Sequence, residues 1–289
     1  MIPNLKVRNK ESKLKLFSLN RRQRTLLTIL VATVFLISVV LGGLFLDEAR
    51  IATNLNARNL SPSIQHLFGT DWLGRDMFTR TVMGLSLSMG VGLIGAIGSA
   101  SIALILGMAA ATMGKMADRI ISWVIDLFLS VPHLVALILI AFTLGGGFKG
   151  IVVGLMLTHW PSLARVISAE VMQIRSAEYV QISQQMGKSR RWIAAHHIFP
   201  HLIPQILIGF MLLFPHVILH EAAVTFLGLG LSPHEPAIGI ILSESMKYLS
   251  SGMWWLAFFP GVSLLIVVRS FDTIGENLRT LIDPNKANE

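Results

Sequence analysis

The chain has 289 residues, of which 53% are apolar and 14% charged, whereas a soluble domain carries about 25% charged residues. The charge is missing from blocks about 20 residues long, the length a helix needs to cross a bilayer. The net charge of +8 sits beside those blocks, not in a groove-like patch interleaved with aromatics, which argues for membrane orientation and against nucleic-acid binding. With no cysteine, neither a disulfide framework nor a thiolate metal site is possible.

Residues 1–24 are basic, with Lys6, Arg8, Lys10, Lys13, Lys15, Arg21, Arg22 and Arg24 against Glu11 alone. Residues 25–46 carry no charge. They are too long for a signal-peptide core and offer only a poor cleavage site at Leu41-Gly42-Gly43-Leu44, so they read as a retained first helix entered from the cytoplasm. Residues 47–80 form a polar external segment, and a permease core over 81–270 holds five more helices. The first of these covers the uncharged stretch Thr81 to Gly114, where Ser88, Gly92, Ala96 and Ala100 fall four apart and make a stripe for close helix packing.

The third helix is expected from Ile120 to Leu144, interrupted by Asp126 and Pro132, with Asp126 reaching the interface or Arg119. Gly145-Gly146-Gly147 makes an external turn. The fourth helix starts at Ile151 and runs past Arg165 into a polar cytoplasmic loop, 165–201. Leu202 to Leu219 is the fifth helix, with Pro204 and Pro215 inside it, and Leu249 to Val268 is the sixth. A polar cytoplasmic tail occupies 271–289. This topology puts 18 of the 24 Lys and Arg residues inside, so both termini are expected in the cytoplasm of a multi-pass cell-membrane protein. No inverted halves are visible, which weighs against a secondary transporter.

No ATP site is legible. Gly107 to Lys115 has the wrong glycine spacing for a P-loop, and Met116 stands where Ser or Thr would bind magnesium. If ATP drives this protein, a partner hydrolyses it. The loop offers that partner two pieces: a short helix within Arg175 to Gly187, ended by Gly187, and a second from Arg190 to His197 before Pro200. Spacing alone leaves a docked helix–turn–helix and an ordinary polar loop equally open.

The loop resembles the coupling loop of ATP-binding-cassette importer permeases, which runs Glu-Ala-Ala, three residues, Gly, and then Pro about thirteen residues on. Gly187 and Pro200 match, and Gln181-Ile182-Ser183 stands where Glu-Ala-Ala is usual. The resemblance covers nearly the whole chain and points to the dipeptide, oligopeptide and nickel branch. Phe68-Gly69-Thr70-Asp71-Trp72-Leu73-Gly74-Arg75-Asp76 looks like that branch's segment before the second helix. Asp118-Arg119 with Asp126, Ser130 and Pro132 fits its third helix, Glu221 through Gly230 its segment after the fifth, and Phe271-Asp272 through Asn277-Leu278-Arg279 to Asp283-Pro284 its tail.

The resemblance implies an all-α membrane protein of six transmembrane helices, with the type I, MetI-like permease fold. It also implies a second homologous permease, two ATPase subunits that hold ATP and magnesium, and an external substrate-binding protein. This chain binds no cofactor and catalyses nothing. Glu178, Tyr179, Val180, Gln181, Ser183, Gln184 and Gly187 are the expected ATPase contacts.

His216 and His220 lie four apart on one helix face, with Glu221 adjacent. Two imidazoles so spaced can share a divalent ion or pack against polar neighbours. Val224 in place of a second histidine rules out a metalloprotease helix. The nickel-type permeases carry similar histidines and a His-Trp like His159-Trp160. The resemblance therefore implies import of nickel or cobalt, free or as a metallophore complex, past His159, His216, His220 and Glu221, with His216 and His220 as transient ligands. A dipeptide or oligopeptide cargo is the alternative, followed by ion-coupled transport and a membrane-bound metal hydrolase.

Overall fold

The computed structural model describes residues 21–282; the basic residues Lys6 to Lys15 and the Asp283-Pro284 end of the tail lie outside them. Ten α-helices are found there: α1 (Arg21–Phe45), α2 (Met77–Thr112), α3 (Lys115–Ser130), α4 (His133–Thr143), α5 (Gly147–Ser176), α6 (Glu178–Gln185), α7 (Arg190–Ile193), α8 (Phe199–Phe226), α9 (Ile238–Met246) and α10 (Trp255–Ile282). Among the described residues, five helices are long and apolar enough to cross a membrane, and a sixth span is present if α3 and α4 count as one.

Helix α2 is the axis of the bundle. At 36 residues it is about 54 Å long, well beyond the ~30 Å of bilayer hydrocarbon. Ser88, Gly92, Ala96 and Ala100 are all buried on it, as the small-residue stripe predicts. The stripe admits close neighbours on two sides. A methyl added at Gly92 would meet Ile218 of α8 at 2.7 Å, and one at Gly107 would meet the Ala164 carbonyl of α5 at 2.8 Å. Ser99 Oγ donates to the Met156 carbonyl at 2.9 Å, a helix-to-helix bond of the kind that holds membrane bundles together. Gly95 abuts Leu155 while Gly107 abuts Ile167, so α2 and α5 run in the same direction. Gly92 and Gly95 meet Ile218 and Val217, whereas Gly209 further back along α8 meets Leu163, so α8 runs the opposite way. Helices α1 and α10 flank the bundle, and α1 leaves Leu26, Leu30, Val34, Ile37 and Leu41 exposed.

One end of the bundle is closed by residues 47–76, which fold into a knot instead of a plain loop. Asp76 caps α2 by accepting from the Thr79 amide at 2.9 Å and the Thr79 hydroxyl at 2.8 Å. The helix therefore begins at Met77, four residues before the expected Thr81. The buried Asp71 carboxylate accepts from Arg75 Nε at 2.6 Å and Arg80 at 3.2 Å, and Arg80 donates on to Glu244 of α9 at 2.5 Å. Trp72 stacks on Tyr248 with centroids 4.5 Å apart. Gly74 has φ of +75° and its Cα lies against the Asn54 carbonyl, so only glycine fits there.

The expected third helix is two helices. Pro132 forces Val131 into an extended conformation (φ −92°, ψ 136°), and α3 and α4 meet at a bend of 96°. Asp126 pairs with Arg165 of α5, not with Arg119, because the bend lays α3 across α5. The expected turn at Gly145-Gly146-Gly147 is present, with φ of +90°, +67° and +64°. The fifth and sixth helices both run further than charge alone suggests. The piece expected from Arg190 to His197 does not stop before Pro200 but passes through a π-helical segment, Ala194–Ile198, straight into α8. Pro200 therefore lies inside a continuous helix, where its missing N–H removes a backbone bond, and the π-helical turn stands just before it. Helix α10 continues through Arg269 to Ile282, so the tail from 271 starts as helix.

Candidate functional site

Two features stand apart from the helix packing: a short surface helix at the end of the bundle opposite the knot, and a group of histidines inside it.

The surface helix is α6. Helix α5 stops at Ser176, Ala177 is extended (ψ 143°), and the chain turns into α6. Its end is a Schellman cap: Lys188 N–H donates to the Ser183 carbonyl at 3.1 Å and Gly187 N–H to the Gln184 carbonyl at 3.0 Å. Gly187 has φ of +77°, the left-handed state that such a cap needs. Ser189 then receives the Trp192 amide at 3.2 Å, Lys188 sits over the Trp192 ring, and α7 leads on into α8.

The segment is tied to the bundle at two places, and a third bond ties the end of α5 to α2. Val180 is fully buried with Ile174, Ile193 and Ile198 in one core cluster. Ser183 Oγ and His197 Nε2 are 3.0 Å apart. The Arg175 guanidinium donates to the Ala111 carbonyl at the end of α2. α6 is thus fixed to α5 and to the segment that leads into α8, and α5 is bonded in turn to the end of α2.

Of the residues expected to contact an ATPase, Glu178, Tyr179, Gln181, Gln184 and Gly187 are exposed, and Ser183 is half-buried. Val180 has no surface to offer a partner, because at this position on the helix its side chain points into the bundle; it anchors α6 instead. Ile182 and Met186, which are not among the expected contacts, are exposed beside the others. Gln181 spends its amide on the Ser176 carbonyl at 3.0 Å. A groove lined by Met172, Arg175, Ser176, Gln181, Gln184 and Gln185 opens next to the helix.

The histidines come from three helices. His133 is the first residue of α4, directly after the Pro132 break; His159 lies on α5 and His220 on α8. His159 Nε2 is 3.1 Å from His133 Nε2 and 3.1 Å from His220 Nδ1. On its other side His159 Nδ1 is 3.1 Å from the Leu155 carbonyl. His159 Nδ1 also lies 3.1 Å from the Thr158 hydroxyl and 3.3 Å from His133 Nε2, so His133 sits near both ring nitrogens of His159. One donor atom from each ring lies within 4.8 Å of the others.

The structure thus brings together His159 and His220 but not the expected pair. His216 is exposed one turn before His220 and outside the group. Glu221 is fully buried about 100° further round α8, where its Oε1 accepts from Thr225 Oγ1 at 2.9 Å. The sequence reading missed His133. Its signal was an imidazole inside an apolar span immediately after a proline, a costly placement in a membrane.

A family model for the binding-protein-dependent transport system inner membrane component matches residues 103–286. The chain is 32% identical to the dipeptide transport system permease protein DppC of Alkalihalophilus pseudofirmus, over 92% of this chain and 87% of that protein. It is 30% identical to the oligopeptide transport system permease protein OppC of Bacillus subtilis, over 89% of this chain and 84% of the other. Among solved structures, an inward-facing MetNI methionine ABC transporter chain superposes with a TM-score of 0.58 at 19% identity, covering 70% of this chain and 96% of that one. That likeness carries the fold, which is MetI-like and all-helical among the described residues.

Proposed function

The chain belongs to the family of binding-protein-dependent transport system inner membrane components, and from that premise we propose that it lines the path by which an ATP-driven importer moves peptides or peptide-like solutes inward. It is a multi-pass permease subunit of an ATP-binding-cassette importer, without catalytic activity of its own, and it works with ATPase and substrate-binding partners. The relatives described above are named for dipeptides and oligopeptides, so a peptide-sized cargo takes the place of the nickel or cobalt expected from the sequence.

The observation that carries the mechanism is the attachment of α6 to α5 and to the segment leading into α8, with α5 bonded in turn to the end of α2. In this reading α6 docks in the groove of an ATPase, with Glu178, Tyr179, Gln184 and Gly187 at the contact. Closure of the paired ATPases on ATP pushes α6, tilts α2, α5 and α8 together, and exchanges inward-open for outward-open states around the interface with a second permease. Residues 47–76 then lie outside, toward the substrate-binding protein, and both termini inside. No bond is made or broken in this chain.

Uptake by the assembled importer tests the cargo. A labelled dipeptide offered to proteoliposomes should accumulate with ATP and be displaced by unlabelled di- and oligopeptides. Displacement by free amino acids or sugars, with none by peptides, contradicts the assignment.

A further inference from the structure

We propose that Asp126 and Arg165 form a receptor for zwitterionic cargo in the transport path: the ammonium end of a short peptide meets Asp126 and its carboxylate end meets Arg165. The proposal rests on the peptide-import reading for its substrate, and it names two residues of this chain that sense the charged ends of that substrate.

Asp126 is the only charged residue from Ile120 to Phe148, and Arg165 the only one from Gly150 to Ala169. Both stretches belong to helices apolar enough to span a membrane, α5 and, taken together, the bent pair α3 and α4. A charge at that depth is costly, and such residues turn to the bundle interior or to water, not to lipid. The two side chains pair with each other, yet 55% of the Arg165 side chain and 67% of the Asp126 side chain stay exposed. So open an ion pair stabilises a fold very little. Packing therefore does not account for it. The surroundings also suit a polar solute. Ser130, one turn beyond Asp126, and Ser162, one turn before Arg165, are exposed. Pro161 removes the helix bond that the Leu157 carbonyl of α5 would accept.

The contact between the two is single: Nη2 of Arg165 meets Oδ1 of Asp126. A guanidinium carries five N–H donors and a carboxylate two accepting oxygens, so each group keeps capacity for a second partner. A peptide carboxylate takes the open edge of the guanidinium in the two-bond geometry that arginine favours. The peptide ammonium takes the second oxygen of Asp126. Without cargo the pair closes on itself, and no lone charge is left at membrane depth. Cargo separates one ion pair and makes two of the same kind, so the net gain is small and binding is easily reversed, as passage requires. A solute without charged ends gains nothing from the exchange. The position suits the inner part of a path, since Arg165 lies about 27 Å along the 30-residue α5, in the half that leads to α6.

The test is uptake by the complete importer in proteoliposomes, with ATP and its binding protein, of labelled Ala-Ala in free, N-acetylated and C-amidated form. Each variant is compared with the parent peptide by peptide, so the binding protein's own preference cancels. Arg165→Gln should slow the free dipeptide at least tenfold more than the amide, which has no carboxylate to lose. Asp126→Asn should slow it at least tenfold more than the N-acetylated peptide. Equal slowing of all three peptides, or none, overturns the proposal. Should the single variants fail to assemble, Asp126→Leu with Arg165→Met decides, because it leaves no unpaired charge. There the free dipeptide should lose at least tenfold relative to Ala-Ala blocked at both ends. An unchanged ratio, or a complex that sheds the partner permease, overturns the proposal. Those results leave peptide import standing. A parent importer that moves none of these peptides overturns the import reading, and the receptor with it.

Discussion

Val180→Asp is expected to lower ATP-driven uptake more than tenfold while the ATPase subunits still hydrolyse ATP. Val180 is 0% exposed and packs with Ile174, Ile193 and Ile198. A carboxylate there has no partner, and an unpaired buried charge costs several kcal/mol. The cheapest relief is for α6 to lift off the ends of α5 and α8. Held only by its flanking turns, α6 then moves with the ATPase without tilting the bundle. Ile182→Asp on the same helix is a contrast, because Ile182 is 55% exposed. Its carboxylate stays in water, so the bundle is unaffected and the loss falls on affinity for the ATPase. The ratio of solute transported to ATP hydrolysed separates the two: it collapses for Val180→Asp and is kept for Ile182→Asp once excess ATPase restores the complex.

Arg80→Ala should destabilise the opposite end of the bundle by about 3–5 kcal/mol, the usual cost of deleting one member of a buried ion pair. Arg80 is itself buried and lies between Asp71 and Glu244, with its guanidinium beside the Trp72 ring. Its removal leaves Asp71 with Arg75 alone and Glu244 with only the longer, 3.5 Å contact to Arg75. The expected result is a clear fall in the thermal unfolding midpoint in detergent. The double variant Arg80→Ala with Glu244→Ala should fall by less than the sum of the two single changes, since each single change already removes the 2.5 Å contact between them. Strict additivity would mean that the network does not join α2 to α9.

The spans, the triple-glycine turn and the Gly187 cap were legible because each follows from a local rule: about 20 uncharged residues cross a bilayer, and a left-handed residue after a helix is glycine. The small-residue stripe on α2 was legible for the same reason. The break at Pro132 was visible as a proline but not as a 96° bend, since a proline also allows a mild kink and the angle depends on how α3 packs against α5. The inward turn of Val180 was not legible because the residues it clusters with, Ile193 and Ile198, come from beyond the turn.

The histidines show the same limit more sharply. Periodicity placed His216 and His220 on one face, correctly, but the partners of His220 are two rings from helices 61 and 87 residues earlier in the chain. Sequence spacing on one helix carries no information on which neighbouring helix arrives there. His133 reaches the cluster only because Pro132 ends α3 and starts a new helix at that residue.

The central claim is that the bundle is driven from outside itself, through α6. It is tested most directly by comparing proteoliposomes that hold this chain with its partner permease alone against proteoliposomes that also hold the ATPase subunits, with the binding protein and labelled peptide added to both. Accumulation above the external concentration is predicted only in the second set and only with ATP. Accumulation against the gradient in the first set would contradict the account.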